Sequence, residues 1–331
     1  MKLKKCAALL LVSSCLLTGC TPSSAKKVDS KYVVASLEKG NKTKNIFADN
    51  LYKDIIDNSS NNSTVFNAVL QNLVDQKFPV NDDMKEDAAT IIKQIKSAYK
   101  SNYGDNYKDS LNQALTSAGY KNLSEYRQRM IKQIQYANFL LDYIDDHFDD
   151  VFNDYYQQCA PKYVSLIKIS VSDTSSPTDD ETSKLNEVKE LISNTDKSFG
   201  DIAQDYSDDS TSSKKGSLGI VDSKDTSGIA NSYGKDVFNA IESLSEGQVS
   251  DVITGDNGYY FVKVTSTDKK TLKKELKKTD IDSPLLAYDD YLQYVVYNSY
   301  KINYKDKDIK KIVQEVVNKA LEERKTERGE A

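Results

Sequence analysis

Two short apolar runs separated by about ninety residues constrain this chain most. Tyr163 to Val171 is rich in β-branched residues, and Tyr259 to Val264 follows Gly255-Asp256-Asn257-Gly258, a turn between two apolar stretches. Both read as strands, the second closing a hairpin. Between them lie three helical patterns. Leu185, Val188, Leu191 and Ile192 share one side of the first, which follows a polar loop from Ser172 to Asp180. Phe199, Ile202, Ala203 and Tyr206 mark a short second, and Val237, Ile241 and Leu244 a third, ended by Gly247. Strand, helices and hairpin make an α+β plan. Repeated βαβ units are missing, and so is a glycine-rich phosphate loop.

Helical periodicity flanks this plan on both sides. Val65, Phe66, Val69, Leu70, Leu73 and Val74 form one apolar stripe, capped by Ser63 or Thr64 and followed by Pro79. Met84, Ala88, Ile91, Ile92, Ile95 and Tyr99 form another, with Asn81 as N-cap and Asp82 and Asp83 favoured by the helix dipole. Leu111, Ala114, Leu115 and Ala118 give a shorter helix stopped at Gly119. A long one runs through Ile131, Ile134, Leu140, Leu141, Ile144 and Phe148. Beyond the last strand, Lys269, Lys270, Lys273, Lys274, Lys277 and Lys278 read as a solvated face. Two helical segments follow Ser283-Pro284, one with Tyr288, Tyr291, Leu292 and Val295, the other with Ile309, Ile312, Val313, Val316 and Val317. The expected organisation is a helical module built from N- and C-terminal segments, 45–160 and 269–331, with the α+β domain of 161–268 inserted between them.

The first residues follow other rules. Lys2, Lys4 and Lys5 precede an apolar run from Ala7 to Leu17, too short to span a bilayer, and Leu17-Thr18-Gly19-Cys20 supplies small residues for cleavage. Leu-Thr-Gly-Cys in this setting resembles the lipobox of bacterial lipoproteins. That resemblance implies residues 1–19 as signal peptide, diacylglycerol on the Cys20 sulfur, and residues 20–44 as lipidated cysteine and flexible tether. Cys6 and Cys15 leave with the leader, so Cys159 is the one free thiol, and neither an internal disulfide nor a metal site is expected. The chain is formally −5 at pH 7, and more acidic without the leader's lysines. That argues against both nucleic acid and an anionic membrane surface as partners and leaves anchoring to the lipid, not to a polybasic patch.

The stretch from Phe199 to Val264 carries a second resemblance. Phe199, Ile202, Ala203 and Tyr206-Ser207-Asp208-Asp209-Ser210 come first, then Lys215-Gly216-Ser217-Leu218-Gly219. Ala240, Leu244 and Gly247-Gln248-Val249-Ser250 follow, and Asn257 to Val264 closes the series. In order and spacing these blocks are similar to the parvulin type of peptidyl-prolyl cis-trans isomerase. With the anchor, and with Tyr103-Gly104-Asp105-Asn106 and Ala118-Gly119-Tyr120-Lys121-Asn122 in the helical half, the layout resembles the PrsA family of foldase lipoproteins. It is more distantly similar to SurA-like chaperones.

The resemblance implies an extracytoplasmic foldase, lipid-anchored at a cell membrane of Gram-positive type, that acts on unfolded or partly folded secreted polypeptides. No cofactor is implied, and a homodimer is an admissible state. It also implies an apolar cleft in which polar groups favour the twisted X–Pro amide, with no covalent intermediate. The family's first histidine falls on Leu166 and its last on Tyr260, its Cys/Asp position on Asp209, and its proline-gripping positions near Tyr233 and Val237. Catalysis is therefore expected from Asp209 and Tyr260, whose hydroxyl can donate to Asp209 or to a bound peptide, and substrate binding from Leu166, Tyr233 and Val237. The sole histidine, His147, lies before the first strand and reads as surface or packing. Two other readings stand beside this one: a holdase with a degenerate isomerase domain, and, last, a solute-binding lipoprotein, which normally needs two α/β lobes.

Overall fold

The structure is a computed structural model, and it describes residues 27–39, 42–194, 196–276 and 281–330. The leader, Cys20 and the expected lipidation lie outside the described residues. In chain order the elements begin with strands β1 (Lys27–Val28), β2 (Lys31–Lys39) and β3 (Lys42–Phe47). Helices α1 (Ala48–Ile56), α2 (Asn62–Lys77), α3 (Asp82–Tyr103), α4 (Tyr107–Ser117), α5 (Leu123–Asp146) and α6 (Phe148–Cys159) follow. Next come β4 (Lys162–Ser170), α7 (Asp179–Asn194), α8 (Phe199–Tyr206), β5 (Ser217–Val221), α9 (Ile229–Tyr233), α10 (Lys235–Ser243), β6 (Ile253–Gly255) and β7 (Gly258–Ser266). The chain ends in α11 (Lys269–Leu276), α12 (Leu292–Ser299) and α13 (Lys307–Glu327). Among the described residues no helix is long and apolar enough to cross a membrane.

Two compact units emerge, one of residues 81–290 and the other of residues 27–80 with 291–330. The α+β class expected from the sequence is the one observed. The segments divide differently, however: α3 to α6 group with the second sheet, whereas α1 and α2 group with α12 and α13. Residues 27–39 and 42–47, most of them assigned above to a flexible tether, form a three-stranded antiparallel sheet instead. The run from Tyr32 to Ala35 and the pair Ile46-Phe47 supplied that strand signal, which the polar composition around them obscured.

In the unit of residues 27–80 and 291–330, α2 buries Val65, Phe66, Leu70 and Val74, and α13 buries Ile312, Val313, Val317 and Ala320. The Phe66 ring stacks on Tyr294 at 5.0 Å and meets the edge of Tyr297 at 5.1 Å. Asp306 caps α13 by accepting from the amides of Asp308 and Ile309, and its other oxygen accepts from the Tyr52 hydroxyl at 2.7 Å.

The other unit starts with helices whose ends the sequence marks well. Asn81 accepts from the amide of Met84 at 2.9 Å, and Asn122 from that of Glu125 at 2.9 Å, each satisfying a free N-terminal donor. The long helix expected to reach Phe148 instead breaks at His147, where α5 ends and α6 begins. After α6, Ala160 turns left-handed (φ 42°) before Pro161, and β4 begins.

The four-stranded sheet has the order β5-β4-β7-β6, antiparallel throughout. Because successive side chains alternate faces, β4 and β7 build two cores. Ile167, Ile169 and Phe261 meet Leu185 and Val188 of α7 and Phe199, Ile202 and Ala203 of α8. On the opposite face Val164, Leu166, Tyr260 and Val262 meet Ile229 of α9 and Val237 and Ile241 of α10.

Two polar devices lock these layers. The Lys162 ammonium donates to the carbonyls of Ile241, Glu242 and Leu244 at 2.9, 2.6 and 3.0 Å, closing the C-terminal end of α10 where the helix dipole is negative. Asp222, fully buried after β5, accepts from the Tyr155 hydroxyl at 2.9 Å, from the Lys224 amide at 3.0 Å, and from the hydroxyl and amide of Thr226. Burial, then this carboxylate, pushes the Tyr155 phenol far up. Replacing Asp222 with Ala leaves a buried phenol without its acceptor. It is expected to cost about 3 kcal/mol in urea denaturation, against about 1–2 kcal/mol for Lys162→Met.

Candidate functional site

The candidate residues gather over the face of the sheet that carries α9 and α10. On β4, Leu166 and Lys168 point to this face, and Lys168 lies directly opposite Tyr260 of β7. The Lys168 ammonium sits 5.7 Å from the centre of the Tyr260 ring. Tyr233 ends α9, and its ring meets that of Tyr260 edge to face, 6.2 Å between centroids at 79°. Val237 follows on α10 in the same core cluster, while Leu218, Phe238 and Ile253 pack at its partly exposed border.

Asp209 stands at the edge of this cluster through a loop stitched to β4. β5 pairs with β4 only as far as Ser165. Beyond it, the amide of Leu166 donates to the Gly216 carbonyl at 2.8 Å, and the amide of Lys168 to the Ser207 hydroxyl at 3.1 Å. The Asp208 amide donates to the Lys168 carbonyl at 2.8 Å. A side chain at Gly216 (φ 75°) would place its Cβ 2.5 Å from the Leu166 carbonyl oxygen, so only glycine lets the loop lie this close. Asp209 then caps the 3-10 turn Ser210–Lys214, its Oδ1 accepting from the Thr211 amide at 2.9 Å and from the Tyr233 hydroxyl at 3.4 Å.

Asp209, one of the two acceptors expected for the Tyr260 hydroxyl, is not the one it uses. The Tyr260 hydroxyl donates to Asn257 Oδ1 at 2.7 Å, within its own hairpin turn, and Tyr233 takes the place beside Asp209. Gly255 makes room for the Tyr260 ring, since a Cβ there would lie 2.7 Å from it. Leu166 and Val237, assigned to substrate binding, are 0% and 1% exposed, and Tyr260, assigned to catalysis, is 3% exposed, so the three form the floor. Tyr233 and Asp209 are half-buried, and with Leu218, Phe238 and Ile253 they make the reachable surface.

The sequence reading missed Lys168 and Ile253. Period-two alternation from Leu166 places the first on the site's face, and the hairpin register, which pairs Ile253 with Tyr260, places the second. His147 lies apart from this cluster: it is exposed, stacks on Tyr143 at 4.2 Å, and its Nδ1 is 3.0 Å from the Tyr143 carbonyl.

Burial, followed by the Asp209 carboxylate, pushes the Tyr233 phenol well above its ordinary range. Burial, then Asp209 and Asp256, does the same more mildly for Tyr260. Both hydroxyls thus remain protonated donors at any pH a living cell meets. The arrangement holds neither a base–nucleophile pair nor, among the described residues, a metal-ligand cluster. It can grip an apolar chain segment over a hydroxyl and a carboxylate.

Residues 166–266 match the profile of the rotamase family, described as the PPIC-type PPIASE domain. Over 141 residues the chain is 32% identical to the foldase protein PrsA of Staphylococcus epidermidis, covering 40% of this chain and 41% of that relative. The same identity and shares hold for the foldase protein PrsA of Staphylococcus aureus strain MRSA252. The alignment thus spans about two fifths of the length of these curated relatives. The crystal structure of PrsA from Bacillus subtilis aligns over 85% of this chain and 97% of that chain at 21% identity, with a TM-score of 0.39. Residues 166–266 are a PPIC-type domain, and the chain is similar to PrsA-type parvulin foldases.

A phenol raised in this way costs stability as pH rises. Its contribution is complete below about 10, the unfolded value, and is lost as pH climbs toward the higher folded one. NMR titration of carbon-labelled tyrosine should find Tyr233 un-ionised after exposed tyrosines have titrated. Asp209→Asn should bring its midpoint down, because the repelling carboxylate is gone; an unmoved midpoint would separate the two groups.

Proposed function

We propose that this chain is an extracytoplasmic foldase. A lipid on Cys20 holds it at the outer face of a Gram-positive type of cell membrane, and its clients are unfolded or partly folded secreted polypeptides. The observation that carries this reading is the Asp209–Tyr233 pair beside a floor of Tyr260, Leu166 and Val237, inside a segment that matches the PPIC-type domain. The reaction is rotation about an X–Pro bond, whose barrier of roughly 20 kcal/mol comes from amide resonance. Leu218, Phe238 and Ile253 would hold the proline ring and its neighbours away from water, weakening the charge-separated planar amide. The Tyr233 hydroxyl, oriented by Asp209, would donate to the substrate backbone as the amide twists.

A second reading has its own support: both family imidazole positions hold buried side chains, Leu166 and Tyr260. A site without imidazoles can shelter extended chains as a holdase without turning them over. Exchange NMR on an X–Pro peptide with the chain from residue 21 onward separates the two. The isomerase reading expects faster cis–trans exchange, lowered roughly tenfold by Tyr233→Phe, about 1.4 kcal/mol of barrier. Exchange equal to that of free peptide, with aggregation of a proline-poor client still suppressed, selects the holdase. For the anchor, labelled fatty acid should enter the chain in growing cells and fail to enter Cys20→Ala.

A further inference from the structure

Eight large apolar side chains stand exposed among the described residues, and seven of them fall between Val28 and Ile55. Three of the seven share one face of the β1–β3 sheet. Asp29 and Ser30, both at positive φ (48° and 65°), form the tight turn that folds β1 onto β2. β2 pairs with β3 so that Val33 faces Phe47 and Ala35 faces Ile46, which leaves Val34 as the extra residue of a bulge. Lys31, Val33 and Phe47 stand on the face turned to α1, where the Lys31 ammonium is 3.5 Å from Asp49 and 5.9 Å from the centre of the Phe47 ring. Alternation puts Tyr32, Ile46 and Lys44 on the other face, with Val34 beside them in the bulge. Tyr32, Val34 and Ile46 are 42%, 46% and 43% exposed. Lys27 is paired with Tyr32 across the turn and holds its ammonium 4.6 Å from the centre of that ring.

The charge of this segment is opposite to that of the body. Residues 26–47 carry Lys26, Lys27, Lys31, Lys39, Lys42 and Lys44 against Asp29 and Glu38, in a chain that is formally −5 overall. Lys27 is also close to the proposed anchor, since seven residue steps from Cys20 span at most about 25 Å. An aromatic and two aliphatic side chains ringed by lysines suit the boundary between lipid headgroups and acyl chains, where ammonium groups reach out to phosphates. A second copy of the same face would bring lysines against lysines. An acidic body is itself repelled by an anionic surface, whereas this basic segment is attracted to one.

We propose that the open face of the β1–β3 sheet docks on an anionic lipid surface, with Tyr32, Val34 and Ile46 entering the headgroup region and Lys27 and Lys44 pairing with lipid phosphates. The placement of this face next to the membrane rests on the acylation of Cys20 proposed above. The docking then supplies a second signal beside the lipid and orients the unit of residues 27–80 and 291–330 on the surface.

The test uses the chain from residue 21 onward, which carries no lipid, so failure of acylation in cells leaves the result untouched. Sedimentation with phosphatidylglycerol vesicles should recover the protein at low salt, release it at high salt, and recover little on phosphatidylcholine. Lys27→Glu with Lys44→Glu should weaken association roughly thirtyfold. The chain has no tryptophan, so Val34→Trp gives a single reporter whose emission should shift to the blue on anionic vesicles, whereas Tyr103→Trp on α3 should not shift. No recovery on anionic vesicles, recovery indifferent to the two lysines, or a shift at Tyr103→Trp but not at Val34→Trp would overturn the proposal. A shift at Val34→Trp that grows with protein concentration in the absence of vesicles would also overturn it, and would assign the face to a second copy.

Discussion

The pairing of β4 with β7 is the constraint on which the rest of the 81–290 unit depends. Its register places Leu166 opposite Val262 and Lys168 opposite Tyr260 on one face, and Ile167 opposite Phe261 on the other. A slip of one residue would exchange the two sets, sending Tyr260 toward α7 and α8 and Phe261 toward α9 and α10. The tight turn from Gly255 to Gly258 holds β7 in place through β6, and the loop that carries Asp209 is bonded to the backbone of Lys168. Site geometry and core packing are therefore one property: the same hydrogen-bond ladder that builds the two cores brings Asp209, Tyr233 and Tyr260 together.

Of the tyrosine–carboxylate pairs in this unit, Tyr155–Asp222 and Tyr233–Asp209 differ in a way that sets the scaffold apart from the candidate site. Asp222 is fully buried and meets two hydroxyls and two amides, so its acceptor capacity is spent inside the protein. Asp209 is half-buried, holds one amide at 2.9 Å, and meets its tyrosine at a long 3.4 Å. Lone pairs that Asp222 has committed are open to a ligand at Asp209. Burial and a neighbouring carboxylate raise both phenols, which makes the shift a poor guide to function here; exposure and hydrogen-bond saturation discriminate better.

Much of this was legible in the chain itself. Apolar stripes located α2, α3 and α5, Asn81 marked the start of α3, and the turn residues located the β6–β7 hairpin, because these signals are local. The Ser63 or Thr64 cap expected for α2 is not used, since that helix already begins at Asn62. The gathering of Asp209, Tyr233, Val237, Leu166 and Tyr260 at one place came from family resemblance, and the coordinates bring these residues into one neighbourhood. Which tyrosine bonds Asp209 was not legible, because it depends on Asn257 competing for the Tyr260 hydroxyl across a turn. The β1–β3 sheet escaped notice because its short apolar runs lie in a lysine-rich, partly polar stretch with one face open to solvent. Composition there resembles a linker while the backbone pairs as strands.

At the two positions where the family resemblance would put imidazoles the chain has Leu166 and Tyr260, which bears on what the candidate site can do with protons. An ordinary imidazole titrates near 6.5, so a histidine-lined cleft changes its donors and charge across the pH range of a cell surface. Here the two phenols bordering the cluster are raised by burial and by Asp209, and they remain neutral donors throughout that range. Leu166 adds only apolar volume beneath them. Such a site has a fixed hydrogen-bond polarity and a dry floor, and neither chain gripping nor amide rotation requires proton transfer. Under the proposed function, the chemistry that remains would be the positioning of a twisted amide against a hydroxyl that stays protonated throughout that range, which would tie activity to how firmly Asp209 holds Tyr233 in place.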